Sequence, residues 1–210
     1  MLPLLLNGQV LLFGIILVAI ILSLSLHEYG HAKAANLLGD DTAARQGRLT
    51  LNPASHIDPL GLLMVVFVGF GYAKPVPFNP RNVKQNWGGA AIAAAGPLMN
   101  LLLAIVAVNV LSWGLKADAL NEAQVVALGI MAKINLLLML FNLIPLGPLD
   151  GHYIMSWALP PKYKIQYDNF NIRYGTYAFL GLIVLSVAGI PVFRFLMDFS
   201  NLLVPFIQFI

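Results

Sequence analysis

The chain has 210 residues, of which 59% are hydrophobic and 10% are charged, and it contains no cysteine. Because soluble domains carry about 25% charged residues, this composition excludes an ordinary water-soluble protein and predicts a membrane protein. The formal net charge of +3 is small and scattered, which argues against a nucleic-acid-binding surface. The lack of cysteine excludes disulfides and thiolate metal ligands.

Four stretches reach the roughly 20 apolar residues that cross the hydrocarbon core of a bilayer as a helix. These predicted spans are residues 9–37, 88–113, 122–146 and 176–197. A shorter apolar segment, residues 200–210, is predicted to be a surface or half-inserted helix. The N-terminus has no positively charged region, so we expect the first span to remain in the mature protein.

The first predicted span carries the sequence His-Glu-x-x-His at residues 27–31. Helical spacing puts His27 and His31 one turn apart on one face, where both imidazoles can bind one metal ion. Glu28 lies beside them and can act as a base on a water molecule. Ionisable groups at membrane depth are costly and mark functional sites. The motif therefore predicts a metalloenzyme that works within a membrane.

Residues 43–80 follow the first span and contain an apolar stretch that is too short to cross a bilayer. This stretch, residues 60–71, is rich in Val, Phe and Gly and is bounded by glycine and proline, a pattern that favours a strand. Residues 48–52 could supply a partner strand, since non-helical backbone at membrane depth survives when it packs against protein. We predict a re-entrant β-sheet or loop over residues 43–80, with a half-helix over residues 60–71 as the alternative.

The charges of the loops predict how the spans are oriented. Residues 72–87 carry three basic residues and no acidic residue, and residues 151–175 carry three basic residues and one acidic residue. The link over residues 114–122 carries one basic and two acidic residues. Because basic loops are enriched on the cytoplasmic side, we expect residues 72–87 and 151–175 to be cytoplasmic.

A catalytic zinc site needs a third protein ligand and an open position for water. The only other glutamate, Glu122, falls in a predicted external turn, so His56, His152 and the aspartates remain. Asp150 is the strongest candidate, because it follows a predicted helix that is ended by prolines and glycines. The first span, whose later half carries His27 and His31, runs toward the same side of the membrane, so the depths are compatible. His56 and His152 are predicted not to be ligands, since a fourth protein ligand would block the water position.

Five motifs of the chain resemble those of the site-2 protease family of intramembrane zinc metalloproteases. They are HEYGH at 27–31, NPASHIDPLG at 52–61, GYAKPVPFNP at 71–80, AAAGPLMN at 93–100 and NLIPLGPLDG at 142–151. The resemblance covers residues 20–155. It implies that His27, His31 and Asp150 bind one zinc ion and that Glu28 is the general base. Many members add PDZ or CBS domains, but the hydrophilic stretches of this chain are too short for either, so we expect a compact prokaryotic member without them.

Two asparagines lie at polar positions within the predicted spans. Asn142 precedes Asp150 by about two helical turns and is expected to hydrogen-bond the substrate backbone or the oxyanion. Packing between helices is the alternative role for Asn142. Asn100 is expected to support the helix bundle.

The expected fold is an all-α polytopic membrane protein, a helical bundle with a small membrane-associated re-entrant β-sheet. Residues 1–155 would form the catalytic membrane core, and residues 156–210 would form C-terminal membrane segments. This organisation predicts a prokaryotic cell-membrane protein whose active site lies toward the cytoplasmic side.

The expected function is that of a zinc metalloendopeptidase that cleaves peptide bonds in or near transmembrane segments of protein substrates, as in regulated intramembrane proteolysis. Its expected partners are such a substrate and the lipid bilayer, with no nucleic acid, and the sequence predicts no oligomeric state. The alternative is a metal-binding membrane transporter, which would give Glu28 no role.

Overall fold

The computed structural model describes residues 1–69 and 71–210, and the regular structure of these residues is helical. The α-helices are α1 (Leu2–Leu6), α2 (Val10–Leu37), α3 (Thr42–Arg45), α4 (Pro59–Val68), α5 (Gly88–Lys116), α6 (Glu122–Asn142), α7 (Asp150–Ala158), α8 (Pro161–Phe170), α9 (Thr176–Val187) and α10 (Val192–Ile207). Single 3₁₀ turns occur at Pro53–Ser55 and Pro80–Asn82, and a π-helical turn, Asn171–Gly175, joins α8 to α9.

Three helices, α2, α5 and α6, are long and apolar enough to cross a membrane, and the described residues contain no others that meet both conditions. α5 packs against both α2 and α6. Its buried residues are mostly Gly and Ala. Small residues let the helix backbones approach closely, which favours packing in a membrane, where burial of apolar side chains gives little advantage. α6 begins at a capping box formed by Asn121 and Gln124, so the N–H groups of these two residues have partners.

The predicted β-sheet is wrong, because residues 59–68 form helix α4. The Asp58 carboxylate accepts hydrogen bonds from the N–H groups of Leu60 and Gly61, each at 2.9 Å. Pro59 occupies the first turn, and Gly69, with φ of 83°, ends the helix. These start and stop signals outweigh the β-branched composition that favoured a strand. Phe70, at the end of the predicted strand, lies outside the described residues.

Among the described residues of this region, the strand pairing is a single antiparallel bridge between Ile57 and Ala73. In the predicted partner strand, residues 49–51 form bends, and residues 48 and 52 have no regular structure. After the bridge the chain continues without regular structure as far as residue 79, and we call residues 71–79 the strap. Pro75 and Pro77 bias the residues before them toward extended backbone. The strap is therefore a length of non-helical chain beside the α2 motif.

The stretch 176–197, predicted as a fourth span, is divided between α9 and α10 by a turn at residues 188–191. Gly189 has a φ of 96° in this turn, and Pro191 caps α10. α10 packs against α5, α6 and α9. Its C-terminal end is held by Asn109 of α5, which donates to the Ile207 carbonyl and accepts from the Phe209 N–H, both at 2.7 Å.

Candidate metal centre

α2 and α7 bring three potential metal-binding side chains to one point. The Nε2 atoms of His27 and His31 are 3.0 Å apart. The carboxylate of Asp150, the first residue of α7, lies 3.2 Å from His27 Nε2 and 3.4 Å from His31 Nε2. One ligand atom from each residue lies within 4.8 Å of the others. The structure thus groups the three residues for which the sequence predicted metal ligation.

The hydrogen bonds around these residues fit a zinc ion. His31 Nδ1 lies 2.7 Å from the Ile92 carbonyl, which can only accept, so Nδ1 carries a proton and Nε2 is the nitrogen left to bind a metal ion. His27 Nδ1 donates in the same way to Asn100 Oδ1 at 2.7 Å. Asp150 Oδ2 is buried and has no hydrogen-bond partner. Two imidazole Nε2 atoms and a carboxylate that converge need either protons or a metal ion between them, and zinc takes imidazole nitrogen and carboxylate oxygen as ligands.

The protonation of Asp150 also suits metal binding. Burial alone would raise the pKa of Asp150, but hydrogen bonds from the neighbouring imidazoles and their positive charge lower it to about 2. The carboxyl group is therefore ionised near neutral pH, and the carboxylate is the form that binds a metal ion.

A buried set of polar side chains, which we call the polar network, orients His27; it consists of Ser23, His27, Asn100 and Asn135. Asn100 Nδ2 donates to the Ser23 main-chain carbonyl at 3.3 Å and to Asn135 Oδ1 at 2.8 Å, so its oxygen faces His27. Asn135 Nδ2 donates to Ser23 Oγ at 2.8 Å. Ser23, Asn100 and Asn135 are 0% exposed. Asn100, expected to support the bundle, therefore also contacts a candidate ligand.

Gly96 of α5 lets this helix approach the two histidines. A Cβ atom at this position would lie 2.4 Å from His31 Nε2 and 2.6 Å from His27 Nε2. These distances are far below ordinary contact, so a larger residue cannot be accommodated without moving the imidazoles. The sequence signal for this role is a glycine that ends a run of alanines, directly before Pro97.

Glu28 is 8% exposed, and its Oε2 atom accepts a hydrogen bond from the Val76 N–H of the strap at 3.1 Å. The strap thus orients the side chain that the sequence predicted as the general base. Sequence reasoning missed this contact, as it missed the Ile92 carbonyl, because main-chain groups leave no side-chain signal.

Arg48 holds the middle of the strap. Its guanidinium, 6% exposed as a residue, donates to the main-chain carbonyls of Lys74 and Pro75. The Lys74 N–H donates to the His56 carbonyl at 2.8 Å. These contacts fix the strap immediately before Val76. The sequence signal for this anchor is an arginine in a chain with few charged residues.

Asp40, at 0% exposure, holds the far end of the strap. It accepts from the Asn79 N–H at 2.6 Å, from Asn82 Nδ2 at 2.8 Å and from the N–H and hydroxyl of Thr42. Burial alone would raise the pKa of Asp40, but these hydrogen bonds lower it below its ordinary value of 3.8. The ionised carboxylate therefore ties the segment after α2 to the end of the strap.

The candidate ligands and Glu28 open into one cavity of about 520 Å³. Its other walls are mostly apolar and come from α2, the strap, α5, α6, α7 and α9, and they include Leu24, Phe78, Leu138, Phe141, Tyr153 and Phe179. Asn142 also lines this cavity, and its Nδ2 donates to the Leu138 carbonyl at 2.9 Å.

The two other candidate histidines lie apart from the grouped ligands. His56 is 0% exposed, and its Nε2 atom donates to the Thr50 carbonyl at 2.8 Å. The His152 ring stacks on Tyr167 with 5.3 Å between ring centroids. Within residues 1–69 and 71–210 the group of possible metal ligands is limited to His27, His31 and Asp150.

Comparison with known proteins identifies similar bacterial sequences. The chain is 38% identical over 175 residues to "Putative zinc metalloprotease YwhC" of Bacillus subtilis (strain 168), an alignment that covers 80% of each protein. It is 31% identical over 161 residues to "Putative zinc metalloprotease Rip2" of Mycolicibacterium smegmatis and 27% identical over 155 residues to Rip2 of Mycobacterium tuberculosis. The chain spans 59% of the length of these Rip2 proteins. No protein-family model and no solved structure matches the chain.

Proposed function

Because the chain belongs to a site-2 protease-like family of zinc metalloproteases, we propose that it is an intramembrane endopeptidase that cleaves membrane-protein substrates in or near their transmembrane segments. One observation carries the proposal: the three candidate zinc ligands and Glu28 line one cavity that is enclosed in part by the apolar helices α2, α5 and α6.

In the proposed mechanism His27, His31 and Asp150 hold the zinc ion, since their ligand atoms converge. When bound, zinc acidifies a coordinated water and polarises a carbonyl group as a Lewis acid. Glu28 accepts a proton from the attacking water and passes it to the nitrogen of the leaving amine. The Val76 N–H keeps the Glu28 carboxylate in place during both transfers.

We propose that Asn142 binds the substrate backbone or the developing oxyanion. Its amide has two N–H donors and an acceptor oxygen, and the Leu138 carbonyl takes one of those donors. Its position on the cavity wall supports this role. The alternative role in helix packing predicts that Asn142→Ala changes stability rather than kcat.

The substrate class follows from the cavity. A helical segment shields its peptide bonds within its own hydrogen bonds, so cleavage requires local unwinding. A cavity of about 520 Å³ with mostly apolar walls can accept a short unwound stretch of apolar side chains. We propose that this stretch is part of, or adjoins, a transmembrane helix.

The orientation is proposed from the loop charges. The strap belongs to the basic loop of residues 72–87, and Asp150 directly precedes the basic segment of residues 151–175. Both line the same cavity as the histidines. Because basic loops are enriched in the cytoplasm, we propose a multi-pass protein in a prokaryotic cell membrane whose cavity lies toward the cytoplasmic side.

The test is cleavage of candidate single-span proteins by purified protein in detergent, with products identified by mass spectrometry. Glu28→Gln should abolish cleavage and retain zinc, because it removes the base and keeps the side-chain size. The matched control is Glu122→Gln, which changes the only other glutamate, in the exposed first turn of α6, and should leave activity unchanged.

Full activity of Glu28→Gln would contradict the proposed mechanism. Zinc uptake into protein-containing vesicles without any proteolysis would instead favour a metal transporter. That alternative gives no role to the hydrogen bond between the strap and Glu28.

A further inference from the structure

The loop that carries Asp150 has few hydrogen bonds of its own. Residues 143–149 connect α6 to α7, and two of these seven residues are prolines, which have no N–H to donate. Short contacts within the loop join the Leu146 N–H to the Ile144 carbonyl and the Leu149 N–H to the Leu146 carbonyl. The position of Asp150 therefore depends on contacts from outside the loop, both the packing of α7 against α5 and the groups that hold the loop itself.

The π-helical turn Asn171–Gly175 holds the middle of the loop. The Asn171 side chain accepts a hydrogen bond from the Gly147 N–H at 2.8 Å, and its Nδ2 donates to the Tyr167 carbonyl at 3.1 Å. Asn171 is 6% exposed, so water does not compete freely for this contact. The second bond fixes the amide so that its oxygen faces the loop.

Tyr167 of α8, one helical turn before Asn171, holds an earlier part of the loop. Its hydroxyl donates to the Pro145 carbonyl at 2.8 Å. Its ring stacks on His152, two residues beyond Asp150, with 29° between the ring planes. Tyr167 therefore contacts the chain both before and after the candidate ligand.

The backbone of the turn also approaches the loop directly. A Cβ atom on Gly175 would lie 2.7 Å from the Gly147 carbonyl oxygen, so only glycine fits without displacing the loop. π turns are rare and occur frequently at functional sites. This turn follows α8, and it lies outside the region that carries the five family motifs.

We propose that Asn171 and Tyr167 are positioning residues for Asp150, which place its carboxylate against the two imidazoles through the loop of residues 143–149. This proposal rests on the zinc-ligand role proposed above for Asp150. It assigns the segment after residue 155 a part in building the metal centre.

The test measures zinc affinity by competition with a chelator, together with the visible absorption spectrum after Co²⁺ replaces zinc. Asn171→Leu removes the acceptor for the Gly147 N–H and should weaken zinc binding by about tenfold to 100-fold, the range found when partners of metal ligands are removed. Asn171→Asp keeps an acceptor oxygen and should restore part of the affinity. Asn201→Leu, at an exposed asparagine of α10, is the matched control and should bind zinc normally.

The unfolding temperature of each metal-free variant separates a local effect from misfolding. A folded Asn171→Leu protein with normal zinc affinity and an unchanged Co²⁺ spectrum would overturn the proposal. If Asn171→Leu does not fold, Tyr167→Phe replaces it; this change removes one hydroxyl and should lower affinity several-fold, and unchanged affinity would again overturn the proposal. Normal zinc binding by Asp150→Asn would instead show that the ligand assignment under the proposed function is wrong.

Discussion

The pair of helices α5 and α6 has two faces of opposite character. Toward α2 the pair contributes Asn100 and Asn135 to the polar network, in which each amide has hydrogen-bond partners. Toward α10 the pair packs through what we call the apolar cluster, which consists of Ala104, Ala107, Val108, Ala132, Leu136, Met139 and Ile207. One face is specified by hydrogen bonds and the other by packing.

This difference matters because an unpaired polar group in an apolar setting is expensive, whereas apolar side chains can rearrange. The Asn100 amide in the polar network has one orientation. Because its nitrogen donates to the Ser23 carbonyl, its oxygen has to face His27. The apolar cluster needs only matching volumes. The polar network is the face beside the candidate ligands. Changes in it should therefore alter zinc affinity, whereas changes in the apolar cluster should alter stability.

The largest expected effect is that of Gly96→Ala, where α5 meets the histidines. The added Cβ would lie within 2.6 Å of both Nε2 atoms, so we expect zinc affinity and cleavage to fall by more than about 100-fold, as for other small displacements of catalytic groups. Chelator competition and a cleavage assay measure the two effects. Gly129→Ala on α6 is the control, because nothing lies within 4 Å of its added Cβ. Zinc binding by Gly96→Ala at wild-type affinity would show that α5 does not confine the site.

Asn100→Leu should have the next largest effect. It leaves the His27 Nδ1–H and the Asn135 Oδ1 without their partner at Asn100, and we expect zinc affinity to fall by about tenfold to 100-fold. Titration of zinc into the metal-free protein measures this loss. An unchanged affinity in a folded variant would mean that the polar network supports the bundle alone.

Leu136→Ala changes the apolar face and should give the opposite pattern. Leu136 is 1% exposed, but lipid tails are as apolar as the protein interior, so mainly the packing contribution is lost. We expect the free energy of unfolding to fall by about 1–2 kcal/mol, below the usual range for buried leucines in soluble proteins. Unfolding in mixed detergent measures this change, and zinc affinity should stay constant. A parallel loss of zinc affinity would contradict the separation of the two faces.

The smallest expected effect is that of pH on the strap, which lies beside α2. The pKa of Asp40 is lowered in the folded state, so its contribution to stability is present above the ordinary value of 3.8 and is lost as the pH falls through the lowered pKa. Hydrogen-exchange protection of the strap should therefore decrease in acid, while protection in the apolar cluster should not. Asp40→Asn should weaken strap protection at neutral pH and remove this acid dependence. An equal acid response in both regions would contradict the assignment to Asp40.

Patterns carried by side chains allowed much of the protein to be predicted from the sequence. The membrane class, the zinc cofactor and membership of the metalloprotease family are confirmed. The grouping of His27, His31 and Asp150 matches the predicted ligand set, although the role of each residue stays a prediction. The β-sheet was wrong because the composition of residues 60–71 received more weight than the cap at Asp58 and the glycine stop at Gly69.

The rest of the site depends on groups that carry no readable pattern. The Ile92 carbonyl and the Val76 N–H are main-chain atoms that any residue could provide. Their placement comes from how α5 and the strap pack against α2, and the sequence of each element alone does not specify that packing. Asn171 is a similar case, since it is distant in sequence from the loop that it contacts.

The strap has a further consequence for insertions and deletions. It is tied at Lys74 and Pro75 by Arg48 and at Asn79 by Asp40, with residues 76–78 between these two anchors. In extended chain each residue adds about 3.3 Å and successive groups point to opposite sides. One inserted residue would therefore turn the amide that now meets Glu28 away from it, whereas two inserted residues would restore its direction in a longer loop. Natural variants of this protein should accordingly keep the length of this segment constant while its side chains change.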